Sequence, residues 1–285
     1  MGYVDLHVHS NHSDGTCTPA ELVDLAVEAG LSCFALTDHD TVSGIEEGLA
    51  AAKDRPVTVI PGIEMSCRYE KEDVHILGYC MEYDNPKLIE TLKYYQERRE
   101  ERNLRMIQKM QDYGVDITPE KFFVMFPEGI ITRAHFAAYL MRMGYTSSVK
   151  EGFEKYVGPG KPCYLPKESI TPAQAMACIA LGKGVPVLAH PMMYHLSSGQ
   201  MDDLLVQLKS LGLAGIETIY SENSPEEEER TRCLAEKYDL FLTGGSDFHG
   251  TTKPYIHLGT GKGNLRIPEV FVESIRREKK RIVSL

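Results

Sequence analysis

No apolar run in the 285 residues approaches the ~18 that a helix needs to cross a bilayer, and the opening MGYVDLHVHS enters a strand pattern without a basic, apolar leader. Both absences lead us to expect a soluble, cytoplasmic protein with no membrane partner. Its cysteines, Cys17, Cys33, Cys67, Cys80, Cys163, Cys178 and Cys233, are odd in number and never spaced C-x-x-C. That scatter argues against a disulfide framework or a thiolate zinc ribbon and suits a reducing compartment. Positive charge is also short, with 31 Lys and Arg against 41 Asp and Glu, a formal net charge of −10. Such a chain repels a polyphosphate backbone at long range, so we expect no duplex DNA partner, while a small anion held by local cations stays open. No G-x-S-x-G elbow occurs, and the glycines at 158–160 and 244–245 lack the lysine and spacing of a P-loop. Serine-nucleophile and P-loop chemistries are set aside.

What is present is ordinary globular material, 42% hydrophobic and 25% charged, on a length that suits one α/β barrel of ~250 residues with an insert. Apolar, β-branched stretches at 4–8, 34–37, 57–61 and 74–79 read as strands. Between the first two, Thr18 can cap a helix, Pro19 suits its first position and Glu21 completes a capping box. Leu22, Leu25, Ala26 and Ala29 give that helix an apolar stripe and Gly30 ends it. Residues 85–160 break this alternation with continuous helical periodicity. Thr171-Pro172-Ala173-Gln174 then opens another capped helix, and strands resume at 185–189, 215–219 and 240–244. Ser224-Pro225 starts a further helix, with Glu226 to Glu229 as its solvated first turn. The reading is an α/β chain, with a barrel over 1–84 and 161–285 and an inserted helical subdomain over 85–160.

The chemistry lies at the strand ends. His7 and His9, one residue apart in a strand, leave the same face and can reach one ion. Asp14 lies in the loop that follows, His39 after the second strand in TDHDT, and Glu64 after the third in PGIEMS. His75 sits in VHILGY, His190 ends VPVLAHP, and Asp247 and His249 follow LFLTGG. In a parallel barrel the carboxyl ends of the strands share one face, where active sites are built. Six of the 10 histidines fall at such places together with three carboxylates, which points to a metal site. Imidazole and carboxylate without sulfur suit zinc, manganese or iron. Nine ligands exceed the three or four that one zinc takes, so two or three ions with Glu64 as a bridge are expected. Three divalent ions against three ligand carboxylates leave about three positive charges facing water, a site for an anion such as phosphate.

These motifs resemble the polymerase and histidinol phosphatase (PHP) family of metal-dependent phosphoesterases. DLHVHS with Asp14, LTDHD, GIEMS with VHILGY, and AHP with SDFH stand in the order of the four family motifs. The stand-alone branch of 3′,5′-nucleoside bisphosphate phosphatases and the related 5′-to-3′ exoribonuclease that trims short RNA is the nearest likeness. Its R-x-x-R and T-R-x-H motifs are matched by Arg99 with Arg102 and by Arg133 with His135. The resemblance implies a distorted, TIM-like (β/α)7 barrel with a trinuclear site. Its ligands fall on His7, His9, Asp14, His39, Glu64, His75, His190, Asp247 and His249. Among these, His7, His9, Glu64, Asp247 and His249 are the expected catalytic set.

Physical chemistry agrees with that implication. Ions ~3.5–4 Å apart lower the pKa of a shared water and neutralise phosphate oxygens for in-line attack. Arginine forks bind phosphate oxygens in pairs, which makes Arg99, Arg102 and Arg133 candidate grips. The plain alternative for the first two is exposure on a helix, paired with Glu97, Glu100 and Glu101. Arg133 and His135 begin a helix, where main-chain N–H groups favour anions. Asp40 could orient a ligand, contact a sugar hydroxyl or cap a loop. His12 could compete with Asp14, whereas His195 and His257 read as solvated. Tyr94, Tyr95, Phe136 and Tyr139 could flank a base, although aromatics at helical spacing are more often core. The expected activity is hydrolysis of phosphate on nucleotides, namely AMP or a 3′,5′-nucleoside bisphosphate, or at the 5′ end of a short oligonucleotide. Histidinol phosphate is the alternative substrate, an amidohydrolase the alternative class and a non-catalytic metal-stabilised regulatory module the alternative role. Oligomeric state cannot be read from these residues.

Overall fold

The computed structural model describes residues 2–127, 131–165 and 170–284. The apolar stretches form one seven-stranded sheet in sequence order: β1 (Tyr3–Val8), β2 (Leu31–Leu36), β3 (Thr58–Tyr69), β4 (Glu72–Tyr79), β5 (Val185–Leu188), β6 (Gly215–Tyr220) and β7 (Phe241–Gly245). Main-chain bonds from His9 N to Phe248 O (3.0 Å) and from Asp247 N to His7 O (2.9 Å) bring the end of β7 onto β1 and curl the sheet into a nearly closed barrel. Helices α1 (Pro19–Glu28) and α2 (Ile45–Ala51) follow β1 and β2, and α7 (Pro172–Leu181), α8 (Ser198–Ser210), α9 (Pro225–Lys237) and α10 (Val270–Val283) surround the second half. Between β4 and β5 lie α3 (Pro86–Asp112), α4 (Pro119–Met125), α5 (Arg133–Arg142) and the short α6 (Val149–Gly152).

One expectation needs correcting: the strands are not all parallel. β3 pairs antiparallel with β4, and β4 antiparallel with β5, while β1–β2, β2–β3, β5–β6 and β6–β7 are parallel. The reason is local. β3 runs on past Pro61 to Tyr69, and the chain reverses through Glu70, whose φ is 53°, and Lys71 into a second alternating run. Glu64 therefore sits within a strand rather than after one. The reversal brings His75 opposite Ser66 on the neighbouring strand, next to the same end of the barrel.

The helix starts follow the capping chemistry. Thr18 and Glu21 make the reciprocal capping box of α1, and Thr171 with Gln174 and Ser224 with Glu227 repeat it on α7 and α9. Val4, Leu6, Leu77, Tyr79, Val185 and Val187 fill the barrel interior. Met106, Ile107, Phe122, Phe136, Tyr139 and Leu140 build a separate cluster among the helices between β4 and β5. Phe136 and Tyr139 are thus core residues, each removed from water at a gain of ~1.5–3 kcal/mol. Their burial takes them out of the set of possible substrate walls.

Candidate metal centre and its arginine flank

All nine proposed ligands meet at one end of the barrel. Glu64 stands in the middle, with Oε2 3.0 Å from His39 Nδ1, 3.2 Å from His9 Nε2 and 3.3 Å from His7 Nε2. Its Oε1 lies 3.0 Å from His75 Nδ1 and 3.0 Å from His190 Nε2. Asp247 Oδ1 is 3.2 Å from His9 Nε2, and Asp14 Oδ1 is 3.2 Å from His249 Nε2. The donor atoms form four overlapping groups, each within 4.8 Å: His9, Asp14, His39 and His249; His7, Glu64 and His190; His7, His9 and Asp247; and His39, Glu64 and His75. Only His75 is more than slightly open to solvent.

The donors also have the valences a cation would fill. His7 Nε2, His9 Nε2, Asp14 Oδ1, Glu64 Oε2 and His190 Nδ1 are buried with no hydrogen-bond partner. Leaving so many buried polar atoms unmatched is costly unless something else binds them. A cluster of oxygen and imidazole nitrogen donors without thiolate fits hard or borderline divalent ions.

Residues that pattern reading did not single out hold these donors in place. Fully buried Glu217 on β6 lies 3.1 Å from His7 Nδ1 and accepts the His190 N–H at 2.8 Å. That contact keeps the His7 proton on Nδ1 and leaves Nε2 bare, as a ligand requires. His249 is oriented likewise, because its Nδ1 faces the Asp247 carbonyl oxygen at 2.8 Å and a carbonyl only accepts. Asp247 Oδ2 accepts from Tyr220 at 2.9 Å and from Lys253 at 2.6 Å, which turns Oδ1 toward the histidines. Asp38 fixes the loop bearing Asp14 by accepting from Ser10 N at 2.7 Å and from the Ser13 hydroxyl at 2.6 Å. Glu217 in GIETIY carried a signal in retrospect, a carboxylate in an otherwise apolar strand.

Backbone strain marks the same place. Asp40, His190 and Asp247 adopt positive φ of 53°, 25° and 56°, a region that side-chain-bearing residues rarely enter. Gly245 has no such freedom to spare for a side chain: a Cβ there would stand 2.1 Å from the His7 Cβ.

Electrostatics follow from burial against charge. Burial disfavours a charged His7, yet Glu217, Glu64 and Asp247 outweigh it and hold its pKa well above the usual imidazole value. His9 is carried to about 9, with Asp247 and Glu64 overcoming burial, whereas burial prevails at His39 and pushes it down to about 3. Glu64, opposed by burial but surrounded by His39, His7 and His75, is held well below the ordinary carboxylate range. Protons on His7 and His9 thus do a cation's work in the metal-free chain, and a divalent ion must displace them.

Beside the centre lie three guanidinium groups. Arg102 on α3 is buried and Arg99 is largely covered, rather than both being exposed helix charges, which corrects the plain alternative reading. Arg99 Nη2 pairs with Asp40, and Arg133 Nη2 pairs with Asp73. Arg99 Nη1, Arg133 Nη1, and Arg102 Nε and Nη2 are buried without partners. Burial, with repulsion from Arg99 and Arg133, lowers Arg102 to about 9, so an anion among these groups would relieve both penalties. Asp40 ties the flank to the centre, since its Oδ1 accepts from Ser66 N at 2.8 Å. His135 Nδ1 accepts from Thr132 N at 3.0 Å in the capping box of α5, and the Thr132 hydroxyl donates to Asp14 Oδ2 at 3.0 Å. His12 is turned away, with Nδ1 2.8 Å from Ser43 Oγ, and is outside the four donor groups.

Comparison with known proteins agrees with this geometry. Residues 5–137 match the family described as the PHP domain. The 5′-3′ exoribonuclease Rnm of Escherichia coli (strain K12) is 34% identical over 263 residues, covering 90% of this chain and 87% of that protein. A 3′,5′-nucleoside bisphosphate phosphatase of Chromobacterium violaceum is 32% identical over 251 residues, 87% of this chain and 88% of that protein. A solved structure from Chromobacterium violaceum, described as an amidohydrolase with bound sulfate and no metal, superposes with a TM-score of 0.87 at 30% identity, covering 98% of this chain and 96% of that one. Matching in sequence and in fold, and carrying a histidine and carboxylate centre of its own, the chain belongs to the PHP domain family and is a hydrolytic phosphoesterase that requires divalent metal ions.

Proposed function

We propose that the enzyme hydrolyses phosphate esters of nucleotides, acting on AMP, on a 3′,5′-nucleoside bisphosphate or on the 5′ end of a short RNA. The observation that carries this reading is the pairing of two sites, a nine-donor centre around Glu64 and three arginines beside it with buried, unmatched N–H groups. His7, His9, Asp14, His39, Glu64, His75, His190, Asp247 and His249 would hold two or three ions, with manganese, zinc and iron as the candidates. When bound, the ions supply Lewis acidity toward phosphate oxygens and lower the pKa of water. The rest is work of the chain itself. His7, His9, Glu64, Asp247 and His249 form the catalytic set, and Glu64 faces imidazoles with both oxygens. Arg99, Arg102 and Arg133 grip a second phosphate of the substrate, which separates a bisphosphate or an RNA 5′ end from a simple monoester. Asp40 acts through Arg99, and His135 stands at the start of α5 as a further substrate contact.

The alternative amidohydrolase chemistry would call for a carboxylated lysine or a second histidine pair as the bridge, and the carboxylate of Glu64 lies there instead. We place the arginines on an insertion unit of residues 85–160 and the ligands on a barrel of residues 1–84 and 161–285, in a cytoplasmic enzyme that does not bind duplex DNA. Metal-stripped protein supplied with manganese, zinc or magnesium tests the reading by phosphate or nucleotide release. The substrates are AMP, adenosine 3′,5′-bisphosphate, histidinol phosphate and a 5′-phosphorylated RNA pentamer. Turnover of the nucleotides is expected, and preference for histidinol phosphate would overturn the assignment.

A further inference from the structure

A cleft of about 210 Å³ opens against Asp14, lined in part by Asn11, Met125, Phe126, His135, Ala138 and Arg142. Arg99, Arg102 and Arg133 take no part in its walls. The centre thus has two flanks of different chemistry, one cationic and largely closed to solvent, the other open, with Met125, Phe126 and Ala138 facing polar Asn11, Ser13, Asp14 and Thr16. The Phe126 ring forms one wall, with the His135 ring edge-on at a centroid distance of 5.0 Å and the Arg142 guanidinium 5.1 Å from its centre. Arg142 is exposed and, among the described residues, has no carboxylate partner. An aromatic ring with a guanidinium over it, at the edge of an open cleft, is a combination by which single-stranded nucleic acid is held without reading its sequence. The volume falls below the ~300–1,000 Å³ of pockets that enclose a drug-sized ligand, so one base fits rather than an oligonucleotide.

We propose that this cleft takes the second nucleotide of an RNA chain, its base against Phe126 and its downstream phosphate near Arg142. The inference rests on the nucleotide reading above and narrows it to oligonucleotides over bisphosphates. The 5′-phosphate of the first nucleotide lies among the arginines, and the phosphate joining the first and second nucleotides lies at the centre. Water adds to that phosphorus and the bond to the 3′-oxygen of the first nucleotide breaks. That oxygen takes up a proton and leaves as the 3′-hydroxyl of a nucleoside 5′-monophosphate. The shortened chain keeps the phosphate on its new 5′ end and can occupy the site again. Adenosine 3′,5′-bisphosphate would fill the arginine flank and the centre but leave the cleft empty.

The test compares kcat/KM for a ribodinucleotide phosphorylated at both ends, pApAp, whose 3′-phosphate stands for the downstream one, with that for adenosine 3′,5′-bisphosphate in the manganese-loaded enzyme and three variants. Phe126→Leu keeps apolar bulk against Phe122 but removes the stacking ring, Arg142→Ala removes the rim cation, and Ala138→Phe plugs the cleft. A base stacked on one aromatic side chain sets the expected loss on the dinucleotide at roughly 5- to 100-fold, with the bisphosphate little changed. Calorimetric binding of pApAp to chelator-treated protein should weaken in the same variants. Equal losses on both substrates, or none on the dinucleotide in any variant, would overturn the cleft assignment. Wild-type enzyme that turns over neither substrate would overturn the nucleotide reading, and the cleft assignment with it.

Discussion

Glu217→Gln probes the centre at a residue that serves the metal ligands without being one of the nine. Its Oε1 and Oε2 lie 3.1 and 3.3 Å from His7 Nδ1, and Oε2 accepts the His190 N–H at 2.8 Å. A carboxylate accepts with both oxygens, whereas an amide has a single oxygen to offer. Turned one way, the new NH2 confronts the His190 N–H; turned the other way, it confronts the proton on His7 Nδ1. One buried donor goes unmatched at ~1–3 kcal/mol, or His7 moves its proton to Nε2 and must lose it before a cation can bind. Partners of this kind are worth ~10–100-fold in metal affinity, or ~1.4–2.8 kcal/mol, so the two routes agree in size. The assay loads wild type and variant with manganese or zinc, titrates a competing chelator, and follows bound metal by elemental analysis alongside thermal melting of the metal-free forms. Wild-type affinity in the variant would refute the claim that Glu217 sets the His7 tautomer.

Three further outcomes are expected. Asp247→Ala should bring turnover to background while circular dichroism stays native, because the side chain serves the centre through Oδ1 and is anchored there by Tyr220 and Lys253; retained activity would contradict the ligand assignment. Arg133→Ala should raise KM for a substrate carrying a second phosphate by ~10–100-fold, the worth of a charge-assisted contact at ~1.5–3 kcal/mol, with a smaller change in kcat; a kcat-only effect would place Arg133 at the reacting phosphate instead. Gly245→Ala drives a methyl group to 2.1 Å from the His7 Cβ, so the melting temperature and metal content should fall together; a variant that melts and loads like wild type would show that β1 and β7 can separate without harm.

That these donors would meet was legible because imidazoles and carboxylates stand out against apolar strands, and strand-end position is a one-dimensional property. His7, His9, His39 and His190 needed nothing beyond pattern and the geometry of a parallel barrel. Glu64 and His75 were placed with the others for a partly wrong reason, since β3 continues past Pro61 and β4 returns antiparallel to it. A two-residue reversal at Glu70 and Lys71 offers neither Asn-Gly nor Asp-Gly to announce a hairpin. Burial of Arg99 and Arg102 was illegible too. Their spacing on a charged helix is that of a solvated face, and only the packing of α3 decides otherwise. Glu217, Tyr220 and Lys253 act through contacts with residues far away along the chain, and no local pattern encodes such a contact.

Closure of β7 onto β1 has a bearing on how the protein is made. Donors spread from residue 7 to residue 249 share one set of positions, and the last two arrive only with the segment that completes the ring. A growing polypeptide on the ribosome therefore lacks the two donor groups that use Asp247 and His249 until that segment has emerged. The complete set of nine donors belongs to the finished barrel alone.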